Sequence, residues 1–535
     1  MILNIIEIAK KIGLNSKDLL LYGDDKAKIK EDTIKNLKDK NSKFVLVTAI
    51  TPTKAGEGKT LTAISLNDGL RALNKNSIVL LREPSLGPVF GVKGGASGGG
   101  KASIEPHNDI NLHFTGDFHA LTSSINLISA VIDNHIYQGN ELNIDPNRIL
   151  WKRALDLNDR ELRNVSIGLG SDVNGIKRED HFTITAASEL MAIYCLASSK
   201  EDFKRRVDNI LIGYTFDSKP VYLKELDLSD AILALMNYAL LPNLVQSGEN
   251  NPVLIQGGPF ANIAHGCASI LGSNLARKLA DIVIEEAGFA SDLGAEKFYD
   301  IKCRKGNINP SCTVLVCTIR ALKEHGGVEF NSLKEENIEA LKEGSKNLLK
   351  HYSNLKKFKV PVIVAINHFE SDTIKEIQVL ENILESNNIP YSFMDGYLKG
   401  SNGSIDLANK VLEILETKES KLKFIYDEND SIINKINILA KEIYNAKDVN
   451  FSTDALKHIE EIKKLNKDKL PICVAKTQSS ISDNPLLKNV PSDYTFNVKD
   501  VYLSNGAEFI VVISGKILVM PGLPKEPRAI GFKYE

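Results

Sequence analysis

FVLVTAI, TPTKAGEGKT and LTAISLNDGL run end to end over residues 44–70. The first is apolar on both faces and rich in Val and Ile, the pattern of a strand buried within a parallel sheet. The last reads as a helix, and the ten residues between them close on Gly58-Lys59-Thr60. Strand, glycine-containing loop and helix in that order are what a phosphate-binding loop requires. Backbone N–H groups wrap the phosphates, and the helix N-terminus adds partial positive charge. On this reading Thr53-Lys54-Ala55-Gly56-Glu57-Gly58-Lys59-Thr60 is the ATP-binding loop. Lys59 reaches the terminal phosphates and the Thr60 hydroxyl ligates magnesium. Thr53 stands where the usual pattern has its first glycine.

Six further short runs repeat the strand signal: SIVLLRE (77–83), PVLIQGG (252–258), DIVIEEAG (281–288), TVLVCTI (313–319), PVIVAIN (361–367) and PICVAK (471–476). Amphipathic stretches such as SLKEENIEALKEGSKNLLKHYSNLKKF lie between them. The alternation predicts an α/β protein: a P-loop NTPase-like large domain with a mostly parallel sheet, and two smaller α/β domains. A chain of 535 residues exceeds one ordinary core. The expected division is a large nucleotide-binding domain over 1–357, an α/β domain over 358–465, and a small α/β domain over 466–535 near the nucleotide.

Charged residues make up 25% of the chain and the net charge is -2. Nothing in that balance draws the protein towards nucleic acid or an anionic membrane. The six cysteines include no CxxC pair and suit a reducing cytoplasm. The N-terminus MILNIIEIAKKIGLN carries Asn4, Glu7, Lys10 and Lys11 within its apolar stripe, and so reads as an amphipathic helix rather than a signal peptide. No 18-residue apolar run is present, so no membrane span is expected.

Phosphate loops serve many chemistries. Lys54, a second lysine in the loop, resembles the double-lysine loop of partitioning ATPases of the MinD/ParA class, which act as dimerising switches. In such a switch the next strand should end in aspartates that handle magnesium and water. Here it ends Leu81-Arg82-Glu83-Pro84. An arginine cannot ligate magnesium, but its planar fork can clamp a second anion such as a carboxylate or acyl phosphate. The alternative for Arg82 is a structural ion pair with a glutamate. The glycine-rich run 91–100 permits close backbone approach to a ligand, or is a plain flexible loop. His113, Asp117 and His119 then fall within a few residues, where positioning of a substrate competes with metal ligation.

REPSLGPVFGVKGGASGGG followed by DINLHFTGDFHA resembles formate–tetrahydrofolate ligase. The likeness continues through WKRALDLNDRELR, GGPFANIAHGC, EAGFASDLGAEKFYDIKCR, IRALKEHGG, AKTQSSISDNP and MPGLPKEP, collinear from about residue 44 to 530. It implies ATP-dependent ligation of formate to tetrahydrofolate through formyl phosphate, with 1–357 binding formyl phosphate as well as nucleotide and 358–465 contributing to the folate site. It also implies a K+ or NH4+ ion held with the help of Glu83, a place for Asp117 and more weakly His119 in the reaction pocket, and a homotetramer. By the same resemblance Phe369 and Tyr397 stack on the pterin, with Tyr397 standing where the family has tryptophan. Lys54, Leu61, Lys101, Glu285, Ala290, Glu370, Asn402, Ser404 and Ser479 depart from the family pattern, mainly on the folate side. A divergent member that binds nucleotide but has altered or lost folate activity is the second reading. The partition switch is the third.

Overall fold

The computed structural model describes residues 2–54, 56–93 and 97–532. Its centre is a mixed sheet of twelve strands. Seven are parallel: β1 (Lys43–Ala49), β2 (Ser77–Leu81), β3 (Pro252–Ile255), β4 (Ile282–Glu286), β5 (Cys312–Cys317), β6 (Val362–Asn367) and β7 (Tyr391–Met394). Their spatial order is β3-β2-β4-β1-β5-β6-β7. Beyond β3 the sheet turns antiparallel, first with Asn243–Ser247 and then with Ala27–Ile29.

Burial on both faces explains the unbroken apolar runs. Phe44 and Leu46 of β1 enter one core, whereas Val45, Val47 and Ala49 enter another on the opposite face. Val364 and Ile366 of β6 divide from Ile363 and Ala365 in the same way. Helices Ile270–Leu279, Ile338–Lys357 and Ile374–Ser386 cover the first face. The second is covered by α1 (Lys59–Ala72) and helix Ile405–Thr417. A third core lies around α2 (Asp117–Tyr137) and helix Glu189–Leu196.

β6 and β7 extend the same sheet that holds the phosphate-loop strand, so residues after 358 are joined to those before it by strand pairing. The last part of the chain forms a separate four-stranded sheet, ordered Asp448–Phe451, Thr495–Ser504, Phe509–Ser514, Ile472–Ala475. A buried ion pair, Lys476 Nζ to Asp292 at 2.7 Å, ties it to the segment that follows β4. Among the described residues no helix is long and apolar enough to cross a membrane.

Candidate active site

In parallel α/β sheets ligands bind beyond the carboxyl ends of the strands. There β1 runs into the loop 51–58 and the loop into α1. Gly56 and Gly58 both have left-handed backbones, with φ of 76° and 77°. A Cβ on Gly58 would also collide with the Asn367 side-chain amide, which donates to the Glu57 carbonyl at 3.2 Å. The Glu57 carboxylate closes the loop by accepting from both the Thr53 N–H (2.7 Å) and the Thr53 hydroxyl (2.9 Å). Burial pushes its pKa up to about 7. Lys54 is exposed, and its N–H faces a Glu324 carboxylate oxygen at 3.5 Å. Ala55 lies outside the described residues, as do residues 94–96 of the glycine-rich run.

The loop is anchored from behind. The Thr51 hydroxyl meets His351 Nε2 at 2.9 Å, and its carbonyl meets His325 Nε2 at 2.9 Å. Asn347 donates to the same hydroxyl at 3.1 Å, and Ser291 holds the other ring nitrogen of His351 at 2.7 Å.

The strand beside β1 is not the next in sequence. β4 lies between β1 and β2, and its last residue, Glu286, pairs with Val47. Glu286 accepts from the Thr60 hydroxyl at 2.7 Å and faces the Arg82 guanidinium at 3.5 Å. Arg82 also donates to the Pro259 carbonyl at 3.2 Å. Lys59 Nζ donates to the carbonyl of Phe289, at 2.9 Å. Phe289 holds φ of 55°, a costly conformation for a bulky side chain and one that clusters at functional sites. Lys59, Thr60, Arg82 and Glu286 therefore converge on one place. Glu286 was missed in the sequence. Its signal was a pair of carboxylates, Glu285 and Glu286, closing an apolar run.

Glu83, next to Arg82, and Asp117 are both buried and close enough for the charge of one to act on the other. The Glu83 carboxyl is pushed well up, by burial first and by Asp117 next, and its Oε2 has no hydrogen-bond partner. Asp117 opens α2 and pairs with Lys28 Nζ at 2.8 Å. His119 is different: it is exposed, and its ring meets only Ser123 of the same helix, at 3.5 Å.

Phe369 follows β6 and Tyr397 follows β7, so adjacent strands deliver both aromatics to the same end of the sheet. The Arg320 guanidinium lies 4.1 Å from the Phe369 ring centroid, and Ser371 holds that guanidinium. The Tyr397 ring lies against Gly99, and its carbonyl accepts from the Lys101 N–H at 3.0 Å. The end of the glycine-rich run thus packs on Tyr397, a contact no sequence pattern announced.

The family model for formate–tetrahydrofolate ligase matches residues 1–535. The chain belongs to that family. It is an ATP-dependent ligase of one-carbon metabolism that takes formate and tetrahydrofolate as substrates. The family match sets aside the partition-switch reading of Lys54, which is exposed. Ser404 is fully buried and donates to the Ser65 carbonyl of α1 at 2.6 Å, so it fastens helix Ile405–Thr417 to α1.

Proposed function

We propose that this ligase works through formyl phosphate made and consumed at the carboxyl ends of β1, β2 and β4. The observation that carries the reading is the convergence of Lys59, Thr60 and Arg82 around Glu286. Formate is a poor electrophile because its carboxylate is anionic. A formate oxygen attacks the γ-phosphorus of ATP, the bond to ADP breaks, and the phosphate becomes a leaving group on carbon. An amine nitrogen of tetrahydrofolate then attacks the formyl carbon, phosphate departs, and the nitrogen loses its proton. Such transfer depends on positioning and charge neutralisation more than on covalent help.

In this scheme the loop from Thr53 to Thr60 cradles the phosphates and Lys59 covers the transferring group. Arg82 lies beside Lys59 and is tilted towards Glu286 and Pro259; it clamps formate and then the formyl phosphate with its planar fork. The Thr60 hydroxyl points its hydrogen at Glu286, which leaves its oxygen lone pairs for Mg2+. When bound, that ion draws charge from the β- and γ-oxygens. The unpartnered, buried Glu83 Oε2 fits a K+ or NH4+ ion, which would balance a carboxylate that has no donor of its own. Asp117 lies close to Glu83, near where the folate nitrogen must lose its proton. Phe369, backed by Arg320, and Tyr397, backed by the glycine-rich run, offer stacking faces for the pterin.

The test is ADP release with formate and tetrahydrofolate supplied together and singly, alongside formation of the formylated product. Turnover that ignores formate would sink the reading. Nucleotide binding with no formylated product would favour a divergent member without folate activity.

A further inference from the structure

Lys28 lies on the short strand Ala27–Ile29, opposite Asn243 in the antiparallel register, far in sequence from every motif of the site. Its side chain is fully buried. The ammonium has three hydrogens and three acceptors: Asp117 Oδ1 at 2.8 Å, Asp117 Oδ2 at 3.0 Å and the Leu241 carbonyl at 3.0 Å. Asp117 accepts a further bond from Asn243 Nδ2 at 2.9 Å, and Asn243 is itself held by the Thr115 hydroxyl at 2.7 Å. A buried ion pair survives only when such bonds satisfy both partners, and this one is satisfied on each side. Asp117 is therefore fully engaged, whereas the neighbouring Glu83 keeps an unpartnered oxygen. The remaining acid of the group, Asp156, is held by the Ser85 hydroxyl at 2.6 Å and the Leu86 N–H at 2.9 Å.

We propose that Lys28 is a positioning residue whose ammonium acts as a tethered monovalent cation: it locks Asp117 in place and leaves Glu83 as the single carboxylate that takes a diffusible K+ or NH4+. Lys28 engages both oxygens of Asp117, the neutral donors of Ser85 and Leu86 hold Asp156, and Glu83 is the acid of the group left with an oxygen that no donor meets. This inference rests on the assignment of the cation to Glu83. It adds which residue of the chain leaves Glu83 as the acid open to the ion.

The test uses Lys28→Ala and Lys28→Arg in the full-length enzyme, with K+ or tetramethylammonium as the salt and methylammonium as the replacement cation. Two readouts are taken: the thermal midpoint without substrates, and the cation dependence of turnover. Lys28→Ala should need a severalfold higher K+ concentration for half-maximal turnover, with the KM for ATP little changed. Its thermal midpoint should rise with methylammonium by several degrees more than that of wild type. Lys28→Arg keeps the charge but not the compact geometry, and should recover only part of the loss. If Lys28→Ala does not fold, Asp117→Asn reads the same balance: with one negative charge gone, K+ should stabilise the variant less than it stabilises wild type. An unaltered K+ requirement in Lys28→Ala, or lost stability with no response to methylammonium, would make Lys28 merely structural and overturn the inference. Failure of the ligase reading would show separately, as wild type without formate- and folate-dependent turnover, while the thermal readout would still report on Lys28.

Discussion

Arg82 and Glu286 meet at strand ends in the candidate site, and the proposed reaction asks different things of them. Arg82 touches Glu286 and a backbone carbonyl but no part of the phosphate loop's own closure. Arg82→Ala should therefore abolish formylated product while nucleotide affinity, read by titration with MgADP, is largely kept. Loss of nucleotide binding would move Arg82 from the second anion to the first. Glu286 touches both Thr60 and Arg82. Glu286→Gln keeps the shape but removes the charge that orients them, and should lower kcat by about a hundredfold, the scale of losing one preorganised electrostatic contact. A kcat within a few-fold of wild type would show that Glu286 only fills space.

The loop between β1 and α1, the proposed phosphate site, is the element whose geometry is most exposed to a single change. Gly58 needs φ of 77°, and its α-carbon sits against the Asn367 amide. Gly58→Ala meets both obstacles, so MgATP binding should fall below detection in calorimetry while circular dichroism stays that of wild type. Gly58→Ala with Asn367→Ala removes the collision but not the left-handed backbone, and should recover binding only in part. Full recovery would show that crowding alone keeps glycine there. This element was legible from sequence because strand, loop and helix are local. The same holds for Ser77–Leu81 and Cys312–Cys317, whose apolar runs became strands close to where the pattern placed them. Strands Ala27–Ile29 and Asn243–Ser247 carried no such signal: the first is only three residues long, and the second contains Asn and Gln. Lys28 and the ion pair it forms with Asp117 were invisible for that reason.

Across the whole molecule, buried titratable groups tie stability to pH, and they do not all act with one sign. Burial pushes His325 and His351 down to about 4. Each ring stays neutral in the folded state, so between about pH 6.5 and 4 only the unfolded chain gains a proton there. Their contribution to stability is complete above about pH 6.5 and is lost as the pH falls towards 4. Burial holds Glu57, Asp68, Asp156 and Glu189 near 7, which acts in the opposite direction over an overlapping range. The measurable quantity is thus a difference. His351→Gln should be less stable than wild type at pH 7.5, and the gap in denaturant midpoint should narrow by pH 5. A gap that does not change with pH would mean that His351 takes up its proton over the same range in the folded and unfolded chains.

The sequence by itself determined the α/β class, the strand, loop and helix around Gly58, the parallel strands and, through its collinear blocks, the family. Each of these is written in near neighbours: an apolar run, a glycine two residues from another, a lysine at a helix start. Only the tertiary structure decided the order of the strands. Arg82 ends the strand that follows the phosphate loop in the chain, yet β4 lies between the two and brings Glu286 to the Thr60 hydroxyl. It also decided that Lys28 and Asp117, 89 positions apart, form one buried ion pair. Sheet order and long-range ion pairs arise when many distant surfaces bury one another at once, and no local pattern of residues records the outcome.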